Sequence, residues 1–311
     1  MAVRHSVDQA AMLTTQTTGY VALAGAIIGY GGLWPVTRLA IETIPPFWFA
    51  SLRMWVGILI LLLFLQITGR LRFPRRPDLP LILSVGFLMM ASYTALMHVA
   101  LQYVEAGRAA LLGYTTPLWV LPMSYFLFGE VPSTRRIIGM VVAMAGLTAL
   151  FNPGDFNWSD NNVILGNVLL LLCAVLWSVT IIHIRSHRSL LTPIQLAPFQ
   201  LTIAAGFILL LALIFDPLPT FEWSAGELAL FGYGATFGTA LAMMSVVTCV
   251  RYLPTVVSTV GLLGAPVCAL LLSVVFLDEK LTPDLVVGVI LIIGGIGLVS
   301  IPQTRPDQTA L

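Results

Sequence analysis

Residues 100–150 read ALQYVEAGRAALLGYTTPLWVLPMSYFLFGEVPSTRRIIGMVVAMAGLTAL, and residues 249–299 read CVRYLPTVVSTVGLLGAPVCALLLSVVFLDEKLTPDLVVGVILIIGGIGLV. The two stretches align without a gap at a constant offset of 149. Tyr103 meets Tyr252, Pro117 meets Pro266, Leu121 meets Leu270 and Ser124 meets Ser273. Further along, Glu130 meets Glu279, Gly139 meets Gly288 and Gly146 meets Gly295. Shared Leu and Val mean little in apolar segments, but proline, glutamate and glycines in one register mark an internal repeat. Upstream, with a small shift, Leu33-Trp34-Pro35-Val36-Thr37 meets Leu176-Trp177-Ser178-Val179-Thr180.

The repeat sits in a chain built for lipid. Of 311 residues, 58% are hydrophobic and 9% charged, whereas soluble domains carry roughly a quarter charged. Spanning the hydrocarbon core as a helix takes roughly 17–25 apolar residues. Such runs fall at 19–40, 47–67, 80–102, 106–129, 135–151, 163–184, 193–215, 226–250, 254–277 and 283–301. The fourth run, with internal Pro117 and Pro122, reads as one kinked helix, because neighbours in a bundle satisfy the freed carbonyls. The expectation is an all-α polytopic membrane protein of ten transmembrane helices.

Each repeat copy holds five spans. An odd number forces the second copy to enter from the opposite side, giving two inverted five-helix repeats. The organisation is a polar tail (1–18), a first repeat (19–151), an external linker (152–162), a second repeat (163–301) and a C-terminal tail (302–311). The polar, threonine-rich tail lacks an apolar core and cleavage site, so no removable signal peptide is expected.

Basic residues near span ends set orientation. Eleven of the 15 Lys and Arg residues share one side: Arg4, Arg70, Arg72, Arg75, Arg76, Arg135, Arg136, Arg185, Arg188, Arg251 and Arg305. Ten of the 14 carboxylates, from Glu42 through Asp284, share the other. Both termini are therefore expected to be cytoplasmic. A net charge of +1 gives no basic patch for nucleic acid, so the partners are a small molecule and the lipid bilayer. The sequence leaves the oligomeric state open and is compatible with a monomer.

Several mid-span side chains have functional readings beside plainer ones. Tyr30, Trp34 and Thr37 follow i, i+4, i+7 spacing and share a helical face, as do their repeat partners Cys173, Trp177 and Thr180. That face lines a cavity, or else the two tryptophans belong to the interfacial aromatic belts. Pro35 marks a local bend, a gate position. His98 is either a substrate donor or a neutral interhelical histidine. Arg53, some seven residues into the second span, either draws an anionic group into an external vestibule or snorkels to the interface. Tyr93, Thr94, Tyr114, Thr115, Trp119 and Gln200 add polar or aromatic edges, and Met243 an adaptable apolar one. Glu130 and Glu279, at span ends, read as structural partners for basic groups or backbone donors. Gly25 and Gly29, like Gly234 and Gly238, permit close helix approach.

The chain resembles the drug/metabolite transporter superfamily in its ten-helix form with two EamA-type repeats. The resemblance rests on the joint Leu127-Phe128-Gly129-Glu130 and its echo Phe276-Leu277-Asp278-Glu279, on Arg53, and on the glycine-spaced fifth and tenth spans. It covers about residues 19–301, and the chain is most similar to bacterial inner-membrane exporters of aromatic and other neutral amino acids. What it implies is a central cavity lined by spans 1–4 and 6–9, with spans 5 and 10 at the periphery. Asp278 departs from the pattern, where the first joint has Gly129.

Function follows as an expectation: export of small neutral or zwitterionic metabolites, amino acids first, by alternating access. No Asp or Glu falls mid-span, so a facilitator or exchanger is expected rather than a carboxylate proton relay. Export of drugs or other metabolites is the alternative. An integral membrane enzyme is disfavoured, since the four histidines are scattered and no catalytic cluster is evident. The three cysteines stand singly in apolar runs without ligand spacing. No cofactor and no metal is expected.

Overall fold

The computed structural model describes residues 2–129, 133–151, 160–220, 222–253, 258 and 261–300, with side chains from Gln16 onward except at 117, 147, 148, 150, 151, 299 and 300. Most of the 152–162 linker, the start of the ninth span, Glu130 and the C-terminal tail lie outside the described residues. Ten helical segments follow one another: α1 (Ala2–Ala40), α2 (Pro46–Ile67), α3 (Arg76–Ala100), α4 in two pieces (Ala106–Gly113 and Thr116–Phe128), α5 (Thr134–Phe151), α6 (Asn161–Ser186), α7 (Pro193–Phe215), α8 (Ala225–Tyr252), α9 (Gly264–Phe276) and α10 (Pro283–Ser300). Six are long and apolar enough to cross a membrane alone: α1 from Gln16, α2, α3, α6, α7 and α8. The others are shorter, and α1 extends helically back through the polar 2–18 segment.

Helices are the form this chain must take, because lipid offers nothing to an unpaired backbone group. Their ends are closed by side chains. Asp216 accepts from Phe47 N (2.7 Å) and caps α2, which opens on Pro46. Asp160 accepts from Asn162 N at the start of α6 (2.9 Å), and Glu227 from Ser224 N at the start of α8 (2.7 Å). Gln195 Oε1 accepts from Thr192 N ahead of α7 (3.0 Å).

The halves pack as a pseudo-twofold pair. Helix α2 packs on α7 and α5 on α10; α1 packs on α8 and α9, while α6 packs on α3 and α4. These cross-half contacts are thus either self-paired or returned by the repeat partner, the signature of an isologous interface. The α5–α10 contact depends on the matched glycines. A Cβ at Gly146 would meet Ile292 N at 2.7 Å, and one at Gly295 would meet Ala143 N and Gly139 O at 2.5 Å. Gly25 and Gly29 do the same for α1 on α8, where added Cβ atoms would meet Ser245 Oγ (2.9 Å) and Phe237 O (2.6 Å).

Irregular backbone obeys the same register. Wider π turns occupy Val85–Ser92 in α3 and Thr236–Leu241 in α8, ending at positions the 149 offset pairs. The fourth span is not a single kinked helix: it breaks at Tyr114–Thr115, three residues before Pro117, and the ninth breaks likewise at Leu263 before Pro266. The joints after α4 and α9 both turn through left-handed backbone, at Gly129 (φ 65°) and Asp278 (φ 53°). The position thus selects more narrowly than a generic short loop, and aspartate is one of the few non-glycine residues that adopts it readily.

Candidate functional site

A cavity of ≈900 Å³ occupies the centre, within the usual range for ligand pockets. Residues of α1–α4 and α6–α9 line it, joined by Arg136 at the start of α5; among the described residues, α10 contributes none. Its mouth lies beside Ser124, Arg136, Arg185, His187 and Ser189, at the arginine-rich ends of the helices. At the opposite helix ends Ala40, Ile44 and Phe49 pack with Val36, Trp223, Leu230 and Phe231, none of which borders the cavity. One side is open and the other closed.

The deep end is an aromatic box of Tyr30, Trp34, Tyr93, Tyr114 and Trp177. Tyr93 and Trp177 meet edge to face with ring centroids 5.1 Å apart, a favourable aromatic geometry. The α4 break builds this box. At Gly113 a Cβ would sit 2.8 Å from the Tyr93 hydroxyl and 2.9 Å from the Trp34 ring, so glycine lets both rings reach the break. Thr115 closes the gap, its hydroxyl donating to Leu112 O (2.7 Å) and accepting from Trp119 Nε1 (3.4 Å).

Arg53 borders the same space. It is 4% exposed, and Nη1 donates to Thr239 Oγ1 (2.9 Å), which in turn donates to Gly234 O (2.7 Å). Its buried Nε has no partner, and among the described residues its hydrogen bond goes to a neutral hydroxyl rather than a carboxylate. A buried cation without a counter-ion is costly, by several kcal/mol as an order of magnitude. Gly234 makes room for it, since a Cβ there would approach Phe49 (3.1 Å) and Arg53 Cδ (3.4 Å).

Of the residues singled out in the sequence, Tyr30, Trp34, Arg53, Tyr93, Thr94, Tyr114, Trp177, Gln200 and Met243 border the cavity. Gln200 Nε2 reaches only toward Leu81 O, at 3.5 Å. His98, Thr115, Trp119, Thr180 and Pro35 do not border it. His98 is fully buried beside Phe49 (ring centroids 6.2 Å); Nδ1 donates to Thr94 O (2.8 Å), leaving the Nε2 lone pair without a partner. Thr180 spends its hydroxyl on Leu176 O (2.9 Å), the usual fate of a mid-helix threonine. Pro35 is accommodated inside α1.

Two sets escaped sequence reading. Met54, Met89, Met90 and Met97 join Met243 in the lining; methionine spacing alone does not distinguish core from cavity. Arg136 and Arg185 read as orientation markers but face the mouth. Arg185 Nη1 donates to Ser124 Oγ (3.1 Å) and its guanidinium lies 5.2 Å from the Phe128 ring centroid. Gln195, noted above at α7, also donates to Arg70 O (2.8 Å), tying α7 to the end of α2.

At the closed side, Glu279 accepts from Ala106 N (2.7 Å) and Gly107 N (3.1 Å), capping α4 from the second joint. Burial pushes its carboxyl above the ordinary glutamate value against those two donors. It is a structural cap, as backbone donors at a helix N-terminus favour a carboxylate. Among the described residues no three His, Cys, Asp or Glu side chains cluster as metal ligands.

The pattern of the EamA-like transporter family matches residues 17–152 and again residues 164–301. The "uncharacterized transporter YoaV" of Bacillus subtilis (strain 168) is 24% identical over 86% of this chain and 91% of its own length. The "uncharacterized inner membrane transporter YedA" of Escherichia coli (strain K12) is 29% identical over 81% of this chain and 80% of its own. A solved crystal structure 22% identical in sequence superposes with a TM-score of 0.62, covering 92% of this chain and 96% of that one, a likeness of fold. With two family copies spanning most of the chain and a central cavity between them, the protein belongs to the EamA-like transporter family and is a multi-pass membrane transporter.

Proposed function

We propose that this chain exports small carboxylate-bearing metabolites with an apolar or aromatic body, amino acids and their close derivatives first among them, by alternating access. Arg53 carries the reading: a guanidinium, 4% exposed, with one hydrogen bond to a neutral hydroxyl and a buried Nε without a partner, beside an aromatic and methionine-rich cavity. A carboxylate supplies the missing counter-charge, and the planar guanidinium matches it geometrically. Tyr30, Trp34, Tyr93, Tyr114 and Trp177 receive the body of the molecule, Met243 and its neighbours adapt to its shape, and Thr94 and Gln200 offer polar edges.

The mouth opens where the basic residues gather, so by the positive-inside bias the described state faces the cytoplasm, with both termini there. The location is the inner membrane of a bacterium, in keeping with the relative YedA. An outward-facing state follows if the inverted halves exchange conformations, closing the mouth and opening the Phe49–Phe231 seal. No Asp or Glu lines the cavity among the described residues, which favours a facilitator or exchanger over proton coupling.

The test is counterflow in proteoliposomes with a panel of labelled amino acids, with and without a pH gradient. Saturable exchange of aromatic members without need of the gradient is expected. No exchange of any carboxylate-bearing compound overturns the reading, and a strict requirement for the gradient overturns the facilitator.

A further inference from the structure

We infer that the preferred cargo is a net anion, an aromatic carboxylate whose amino group is absent or capped, and that its export is electrogenic. The inference rests on the transport reading above and narrows its substrate class. Among the described lining residues the fixed charges are all of one sign: Arg53 at the deep end, Arg136 and Arg185 at the mouth, and no Asp or Glu. Arg185 already serves Ser124 and Phe128, so Arg53 and Arg136 carry the weight. Each has a buried Nε without a hydrogen-bond partner, and they stand at opposite ends of the same space, on α2 and α5.

A zwitterion has an ammonium as well as a carboxylate. The carboxylate finds Arg53, but the ammonium finds no carboxylate here, and it enters a positive field focused by low-dielectric walls. Aromatic faces attract a cation only modestly. Capping the amino group as an amide removes that conflict and adds apolar contact. Arg136 at the mouth then collects anions from the basic face, and Arg53 holds them at the closed end. Translocating a monoanion without a counter-ion moves one negative charge outward. The interior-negative membrane potential therefore drives export without any proton relay: about 100 mV sustains about a fiftyfold gradient at equilibrium.

The experiment uses three probes of one shape: N-acetyl-L-phenylalanine (anion), L-phenylalanine (zwitterion) and L-phenylalaninamide (cation). Their binding to the detergent-purified protein is read by tryptophan fluorescence. Their efflux from proteoliposomes is read with and without an interior-negative potassium diffusion potential set by valinomycin, against protein-free vesicles. Expected are affinities that fall about tenfold at each step from anion to cation, and protein-dependent efflux of the anion that the potential accelerates while that of phenylalanine stays unchanged. Arg136→Gln should weaken the anion about tenfold and phenylalanine less, with Arg136→Lys restoring most of the difference. Phenylalanine equalling or exceeding its N-acetyl form, or anion efflux indifferent to potential, overturns the inference and leaves carboxylate transport standing. If none of the three binds or moves, or the amide is preferred, the underlying reading falls as well.

Discussion

Replacing Arg53 by glutamine should move stability and affinity in opposite directions. The guanidinium is 4% exposed, has one hydrogen bond at 2.9 Å to Thr239 Oγ1, and leaves Nε unpaired. If it waits for a substrate carboxylate, the empty protein carries an uncompensated buried charge. Glutamine keeps an amide donor near Thr239 and removes that charge, relieving roughly 1 kcal/mol after allowance for cavity water. The substrate complex loses a charge-assisted contact worth about 1.5–3 kcal/mol. That corresponds to about a 10- to 150-fold rise in half-saturation. The assays are thermal unfolding of purified protein without substrate and counterflow kinetics in proteoliposomes. A variant that melts earlier and transports with unchanged half-saturation would show that Arg53 is a structural anchor, and would refute the argument.

The remaining predictions concern the box, the scaffold and the cap. Trp34→Ala and Trp177→Ala should each raise half-saturation about tenfold, the loss of a packed aromatic wall, with folded yield retained; unchanged kinetics in both would remove them from the site. His98→Ala, outside the lining, should cost about 1–3 kcal/mol of stability yet keep half-saturation within about twofold, and a transport-specific defect would count against its placement. Gly146→Val forces a side chain against Ile292 N, 2.7 Å from its Cβ, and should cost about 1–3 kcal/mol, seen as a lower unfolding temperature; a neutral result would contradict the α5–α10 contact. Glu279→Ala should cost about 1 kcal/mol by uncapping α4, and amide exchange at Ala106 and Gly107 should rise; unaltered exchange would contradict the cap.

Much of the architecture was legible because lipid restricts the backbone to helices and because the repeat keeps register over 50 residues. Pro117 and Pro122 announced an irregular fourth span, but only the structure shows that the helix stops at Tyr114–Thr115, where Gly113 admits Trp34 and Tyr93, and that the ninth span breaks at Leu263. The π turns ending at Ser92 and Leu241 carry no sequence signal. They are visible only as backbone, and their matched positions trace to the repeat. In the cavity, Tyr30 and Trp34 could be read from helical spacing, whereas the azimuth of α3 and α4 could not. His98, Thr115 and Trp119 thus turn away from the cavity while Tyr93, Thr94 and Tyr114 face it. Arg136 and Arg185 were hidden by their place at span ends, where arginine ordinarily serves only orientation.

Alternating access requires two inverted halves that open one end of the cavity as they close the other. With the native cysteines replaced, spin-label pairs at Ser124 and Ser189 across the mouth and at Ile44 and Leu230 across the seal report both ends by pulsed distance measurement in nanodiscs. Saturating transported substrate should shorten the mouth distance and lengthen the seal distance in the same molecules. Two distances that stay fixed, or that lengthen together, would contradict alternating access by this cavity.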